Sequence, residues 1–144
     1  MLENSQLANV PASPEIAQRV LVVDDYEDSL TTLALLVRLL GHEVRSACNG
    51  SDAIRIARDF LPTVILLDIG LPDIDGHEVA KKLRSYPETL HARIVALTGF
   101  GLESDRQDAL TAGCDYHMTK PLGFLALVEI LSASPSSSAI ASRY

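Results

Sequence analysis

Four short segments of this 144-residue chain end in residues that handle charge. The run Val20-Leu21-Val22-Val23 stops at Asp24-Asp25, Val64–Leu67 stops at Asp68, Ile94–Leu97 stops at Thr98, and Tyr116–Thr119 runs into Lys120-Pro121. Carboxylates gathered in one cleft repel each other and need a cation. A ligand set of oxygen atoms, with no cysteine or histidine cluster, suits a hard divalent ion. Mg²⁺ fits better than Ca²⁺, because Mg²⁺ keeps several waters and takes few protein ligands plus phosphate. A divalent ion, an amine and a hydroxyl can together neutralise a phosphoryl group in transfer. A carboxylate can itself be the nucleophile, giving an aspartyl phosphate.

That chemistry requires the four segment ends to meet, and the intervening patterns say how. Val20–Asp24, Val64–Asp68 and Ile94–Thr98 are short, continuously apolar runs rich in β-branched residues. Such runs suit strands buried on both faces of a parallel sheet. His42–Ala47 is a weaker strand and Tyr116–Met118 a short last one. Helical stripes alternate with them. Leu30, Leu33, Ala34 and Val37 form one, ended by Gly41; Ala53, Ile56, Ala57 and Phe60 form a second, with Ser51 as N-cap. Val79, Leu83 and Tyr86 mark a third, and Phe124, Leu127, Val128 and Leu131 the last. A fourth helix over Glu103–Ala112, ending at Gly113, has a thinner stripe and is expected to dock least firmly. Five strand–helix units predict an α/β fold: a doubly wound, five-stranded parallel sheet with five helices on its two faces. In such sheets binding sites form at the carboxyl ends of the strands, where the charged residues stand.

Composition bounds the function. The chain is 47% hydrophobic, enough for a sizeable single core, and no apolar run is long enough to span a bilayer. A formal charge of −7 argues against nucleic acid or an anionic membrane as partner. With no secretory pattern at the start, the expected location is the cytoplasm. Cys48 and Cys114 lack metal-like spacing and read as reduced and partly buried. Residues 1–18 read as a flexible leader or linker, 19–132 as the folded domain, and 133–144 as a disordered Ser-rich tail. Gly-His-Glu-Val occurs at 41–44 and at 76–79, once before a strand and once in a helix, so the repeat is coincidental.

VLVVDD at 20–25, VILLDIGLPDIDG at 64–76, IVALTG at 94–99 and YHMTKP at 116–121 together resemble the receiver domain of bacterial two-component response regulators. The resemblance covers about residues 19–132. DIGLP, LTGFG and LLGHEV are most similar to receivers attached to hybrid sensor histidine kinases. It implies a flavodoxin-like (βα)5 receiver fold and a signalling switch rather than a turnover enzyme, though the parent chain could be a hybrid histidine kinase. It implies Asp68 as phosphoacceptor and Asp25 as a direct Mg²⁺ ligand. Asp24 would act on the ion through water, Asp68 would also bind it, and Gly70 would add its backbone carbonyl. Thr98 would bond a phosphoryl oxygen, Lys120 would pair with the phosphate, and the Lys120-Pro121 bond is a cis candidate. Gly70 and Phe100 occupy the positions that affect phosphoaspartate hydrolysis in the family. The implied partners are a histidine kinase or histidine phosphotransfer domain. A downstream protein would dock on the face of the fourth helix, last strand and last helix. Stand-alone receiver, hybrid-kinase receiver and phosphorelay intermediate all fit.

One position departs from the family. The switch residue three before the lysine is usually Tyr or Phe, and here it is His117, with Tyr116 on the opposite strand face. A switching histidine and a simply satisfied one are equally compatible with the sequence. Asp73 and Asp75 read as loop-shaping acids, and His42, His77 and His91 as surface residues. Three other classes fit the residues less well. An aspartate-nucleophile phosphatase of the haloacid dehalogenase type needs Asp-x-Asp on the first strand, which Asp24-Asp25-Tyr26 does not supply. A receiver-like binding module that is never phosphorylated has no need of the full set of acids with Thr98 and Lys120. A flavodoxin-like cofactor domain would need a Ser/Thr/Gly-rich phosphate loop after the first strand.

Overall fold

A computed structural model describes residues 17–99 and 103–132. Nearly all of the expected leader, the Ser-rich tail and Phe100 lie outside the described residues. In chain order the elements are β1 (Arg19–Val23), α1 (Glu27–Leu39), β2 (Glu43–Ala47), α2 (Gly50–Phe60), β3 (Val64–Asp68), α3 (Gly76–Ser85), β4 (Arg93–Thr98), α4 (Glu103–Ala112), β5 (Tyr116–Thr119) and α5 (Phe124–Ser132). The strands form one sheet in the order β2-β1-β3-β4-β5, every pair parallel. The doubly wound α/β expectation holds. The strands start and stop within about one residue of the expected bounds, and the helices cover their expected stripes except that α3 ends one residue before Tyr86.

Residues of β1, β3 and β4 alternate between two cores because successive side chains point to opposite faces. Leu21, Val23, Ile65, Leu67, Ile94 and Ala96 pack with Ala53, Ala57, Val79, Leu83 and Ala109 of α2, α3 and α4. Val20, Val22, Leu66, Val95 and Leu97 pack with Val37, Leu127, Ile130 and Leu131 of α1 and α5. Both faces are covered, which explains why the strands read as unbroken apolar runs. Tyr116 joins the second core, so it packs inside the protein.

From β1 the chain crosses to β2 on one side of the sheet, and from β2 it returns to β3 on the other. A crevice opens where such windings diverge, at the carboxyl ends of β1 and β3. Two loops build its walls. Asp73, after β3, accepts hydrogen bonds from Gly50 N–H at 2.7 Å, Ser51 N–H at 3.0 Å and the Ser51 hydroxyl at 2.9 Å. It thereby ties the β3–α3 loop to the first turn of α2. Asp75 caps α3 by accepting from His77 N–H at 2.8 Å. Gly76 lets α3 start against the end of β3: a Cβ there would lie 2.5 Å from Ile69 Cα and 2.8 Å from the Asp68 carbonyl oxygen.

Three local expectations change. The N-cap of α2 is Asn49, whose side chain accepts from Asp52 N–H at 2.8 Å; Ser51 already lies inside the helix and serves Asp73 instead. His42 is buried, not on the surface, and its Nδ1 accepts the Gln18 N–H at 2.8 Å. That burial lowers its pKa. Cys114 is buried, which pushes its thiol up to about 12, whereas Cys48 is exposed beyond the end of β2.

The Asp73 contacts generate a prediction. Backbone N–H donors from Gly50 and Ser51 hold the carboxyl well below its ordinary value of 3.8. A depressed folded-state pKa contributes stability above the unfolded value and loses it as pH falls through the folded one. Asp73→Ala should therefore lower Tm at neutral pH, and the gap to wild type should close as a series of melts is carried below pH 3.8. A gap that persists unchanged at low pH would show that the loop does not depend on this charge.

Candidate functional site

The site begins with Asp24, the first residue after β1, which is only 2% exposed. Its Oδ1 accepts the Tyr26 N–H at 2.9 Å and its Oδ2 accepts from Lys120 Nζ at 2.9 Å. Both oxygens are engaged by the protein. Asp25 is exposed, at the mouth of the crevice. Asp68 closes β3 and is also buried; its Oδ1 accepts the Gly70 N–H at 3.0 Å, and its Oδ2 lies 3.3 Å from Lys120 Nζ. One oxygen from each of Asp24, Asp25 and Asp68 can be chosen so that all lie within 4.8 Å of one another. The Lys120–Pro121 peptide bond is cis.

Electrostatics follow from this crowding. Burial, first, and the nearby Asp24 carboxylate raise the Asp68 pKa, against the Gly70 N–H and Lys120, which lower it. For Lys120, burial acts to lower the pKa, but the hydrogen bond to Asp24 and the charge of Asp68 raise it overall. One ammonium thus faces three carboxylates. The donor set is entirely carboxylate oxygen, which fits a hard divalent cation.

Thr98 and His117 stand on the other flank, both buried. In the β4–β5 register Ala96 is paired with His117 and Thr98 with Thr119, so Thr98 and His117 are diagonal neighbours on one face. The Thr98 hydroxyl oxygen lies 2.9 Å from His117 Nε2. The remaining histidines stay outside this site: His91 is exposed, and His77 Nδ1 lies 3.2 Å from Asp75 Oδ1.

The structure therefore brings Asp24, Asp25, Asp68, Lys120, Thr98 and His117 to the carboxyl edge of the sheet, with Gly70 beside Asp68. It also adds features that the strand-end reasoning missed. Tyr26 is the N-cap of α1 and makes no side-chain cap, yet its N–H fixes Asp24 and its exposed ring sits at the mouth. A cavity of about 520 Å³ opens beside Asp24 and Lys120, lined by Tyr26, Leu33, Leu36 and Leu122 among others. Leu33 belongs to the α1 stripe and Leu36 lies outside it, and periodicity marks neither as lining a cavity.

Residues 20–132 match the response regulator receiver domain family. The chain is 31% identical to the polar-differentiation response regulator DivK of Brucella anthropi over 114 residues, which are 79% of this chain and 93% of DivK. It superposes with a TM-score of 0.77, at 30% identity, on the receiver domain of the sensor histidine kinase PA1611 from Pseudomonas aeruginosa, covering 85% of this chain and all of that one. That receiver holds a magnesium ion in its active-site cleft. A third similar structure, with TM-score 0.74 and 28% identity over 80% of this chain and 86% of that one, pairs the Saccharomyces cerevisiae histidine phosphotransfer protein Ypd1 with the receiver of its downstream response regulator Ssk1. These matches do not favour the phosphatase reading. With its fold, its crevice and this sequence match together, the chain belongs to the response regulator receiver domains of two-component signalling.

Proposed function

We propose that Asp68 is the phosphoacceptor of this receiver. The observation that carries the reading is the Asp24–Lys120–Asp68 bridge, which holds a buried carboxylate at the end of β3 beside both an ammonium and two further acids. A carboxylate oxygen of Asp68 attacks the phosphorus of a phosphohistidine, and the P–N bond breaks with its electron pair leaving on the imidazole. Lys120 turns its charge toward the phosphoryl oxygens, and Thr98 donates its hydroxyl proton to one of them. The donor is a histidine kinase or a histidine phosphotransfer domain, as in the similar yeast pair. Water later hydrolyses the acyl phosphate and resets the switch.

Mg²⁺ would be held by Asp25 and Asp68 directly, by Asp24 through water and by the Gly70 carbonyl, and would supply neutralisation of the transferring charge. The burial pattern supports that division. Asp24 has both oxygens occupied by Tyr26 and Lys120, whereas Asp25 is exposed. The readout face is that of α4, β5 and α5, where Leu110, Phe124 and Leu125 are exposed apolar residues able to meet a downstream protein. A cytoplasmic setting suits this chemistry, and among the described residues no helix is long and apolar enough to cross a membrane.

Two outcomes follow. Incubation with Mg²⁺ and acetyl phosphate should add one phosphoryl group, roughly 80 Da by intact mass, to wild type and none to Asp68→Asn. An adduct that survives Asp68→Asn would move the acceptor elsewhere. Lys120→Met should lower stability in EDTA by about 1–2 kcal/mol, discounted because part of the lysine is in solvent. Mg²⁺ should recover much of that loss, as read by thermal melts with and without the ion. Equal losses in both media would mean that the acids do not share a cation site.

A further inference from the structure

A second polar cluster stands at the amino edge of the sheet, where β1 and β2 begin side by side with Arg19 paired to Glu43. Gln18, the residue before β1, has each of its polar groups engaged by a different neighbour. Its N–H donates to His42 Nδ1 at 2.8 Å, and its carbonyl accepts the Glu43 N–H at 3.0 Å. Its side-chain Oε1 accepts the Thr63 hydroxyl at 2.6 Å, and its Nε2 donates to the Leu131 carbonyl oxygen, in the last turn of α5, at 3.1 Å. One residue thus joins the starts of β1, β2 and β3 to the end of α5. Among the side chains of this cluster, only the His42 ring changes charge near neutral pH. A backbone amide can only donate, so Nδ1 must offer its lone pair. A proton on Nδ1 would set two donors against each other, on a residue that is 7% exposed.

We propose that the Gln18–His42 contact is an acid-released latch between the start of β1 and the end of α5. With a neutral ring, His42 holds the Gln18 N–H and so keeps the Gln18 side chain within reach of Leu131. When Nδ1 takes a proton from solvent, the bond to Gln18 N–H is lost, Gln18 turns away, and the Leu131 carbonyl loses its donor. The charged residues on the elements that meet here are Arg19 of β1, Glu43 of β2, Arg38 in the last turn of α1 and Glu129 of α5. Burial, rather than any of these charges, sets the direction of the His42 shift, which is below the ordinary value of 6.5. The latch is therefore closed at neutral pH. The stability it contributes is complete above 6.5 and declines as pH falls below that value. The adjoining carbonyl of Ile130 accepts from Arg93 Nη1 at 2.7 Å, a bond that does not involve Gln18. Release thus loosens the last turn of α5 without detaching the helix. Acid acts in this way on one helix of the proposed readout face. The inference does not rest on Asp68 as phosphoacceptor, since Asp68 lies at the opposite edge of the sheet.

The test uses the whole ¹⁵N-labelled chain and follows the His42 ring nitrogens and amide hydrogen exchange from about pH 7.5 to about pH 5, the range in which a histidine titrates. Protection of the Gln18 N–H, corrected for the intrinsic exchange rate, should fall about tenfold as Nδ1 gains its proton, the worth of one hydrogen bond. Amides in the last turn of α5 should lose protection with it, while those of β3 keep theirs. His42→Asn retains an acceptor near the Nδ1 position without a titrating ring, and should keep Gln18 protected across the whole range. His42→Phe should leave Gln18 unprotected at every pH; if that variant does not fold, His42→Asn alone decides. Protonation of Nδ1 with Gln18 protection unchanged, or an acid-induced loss that persists in His42→Asn, would overturn the proposal. So would a ring that stays neutral until the whole domain unfolds. Opening of Gln18 while the end of α5 stays protected would overturn the link to the helix.

Discussion

Everything at this site depends on keeping like charges close together inside a protein. Burying a carboxylate without a partner is costly, and burying two side by side is more so. Asp24 and Asp68 are both buried, and Lys120 stands between them, 2.9 Å from one and 3.3 Å from the other. One ammonium cannot neutralise two acids and also Asp25 at the mouth. In the proposed role, that remaining negative charge would draw a cation into the crevice. The raised pKa of Asp68 and the raised pKa of Lys120 are two expressions of that crowding: burial dominates for the first, attraction for the second.

The fold exists, in this view, to hold that arrangement rigid at one edge. Parallel strands buried on both faces give their carboxyl ends fixed positions, and the divergence of windings after β1 leaves a gap there. Backbone donors then aim the side chains, with Tyr26 N–H on Asp24 and Gly70 N–H on Asp68. Gly76 allows α3 to start against β3, and Asp73 ties the loop above Asp68 to α2. Thr98 and His117 are set by strand register alone, being diagonal neighbours on adjacent strands.

Much of this was legible in the residues. Continuous apolar runs ending in Asp24, Asp68 and Thr98 identified three central strands, and their ends identified the crevice, because strand burial and site location share one cause. The details decided by tertiary contact were not legible. His42 follows a helix-ending glycine and has no apolar pattern of its own; its bond with Gln18, 24 residues earlier, is a tertiary contact. Ser51 and Asn49 are both good caps, and the choice between them turns on Asp73, a residue from another loop. The Tyr26 side chain, unexplained by sequence, is placed at the mouth by the backbone bond that fixes Asp24. Whether His117 is a contact of Thr98 depends on the strand register, which neither strand's sequence states by itself.

The proposed divalent-cation site of Asp24, Asp25 and Asp68 gives the three acids unequal roles. A calorimetric titration of Mg²⁺ into wild type, Asp25→Asn and Asp73→Ala tests it most directly. One ion should bind per chain in wild type and in Asp73→Ala, with binding lost in Asp25→Asn. Undiminished Mg²⁺ binding by Asp25→Asn would contradict it.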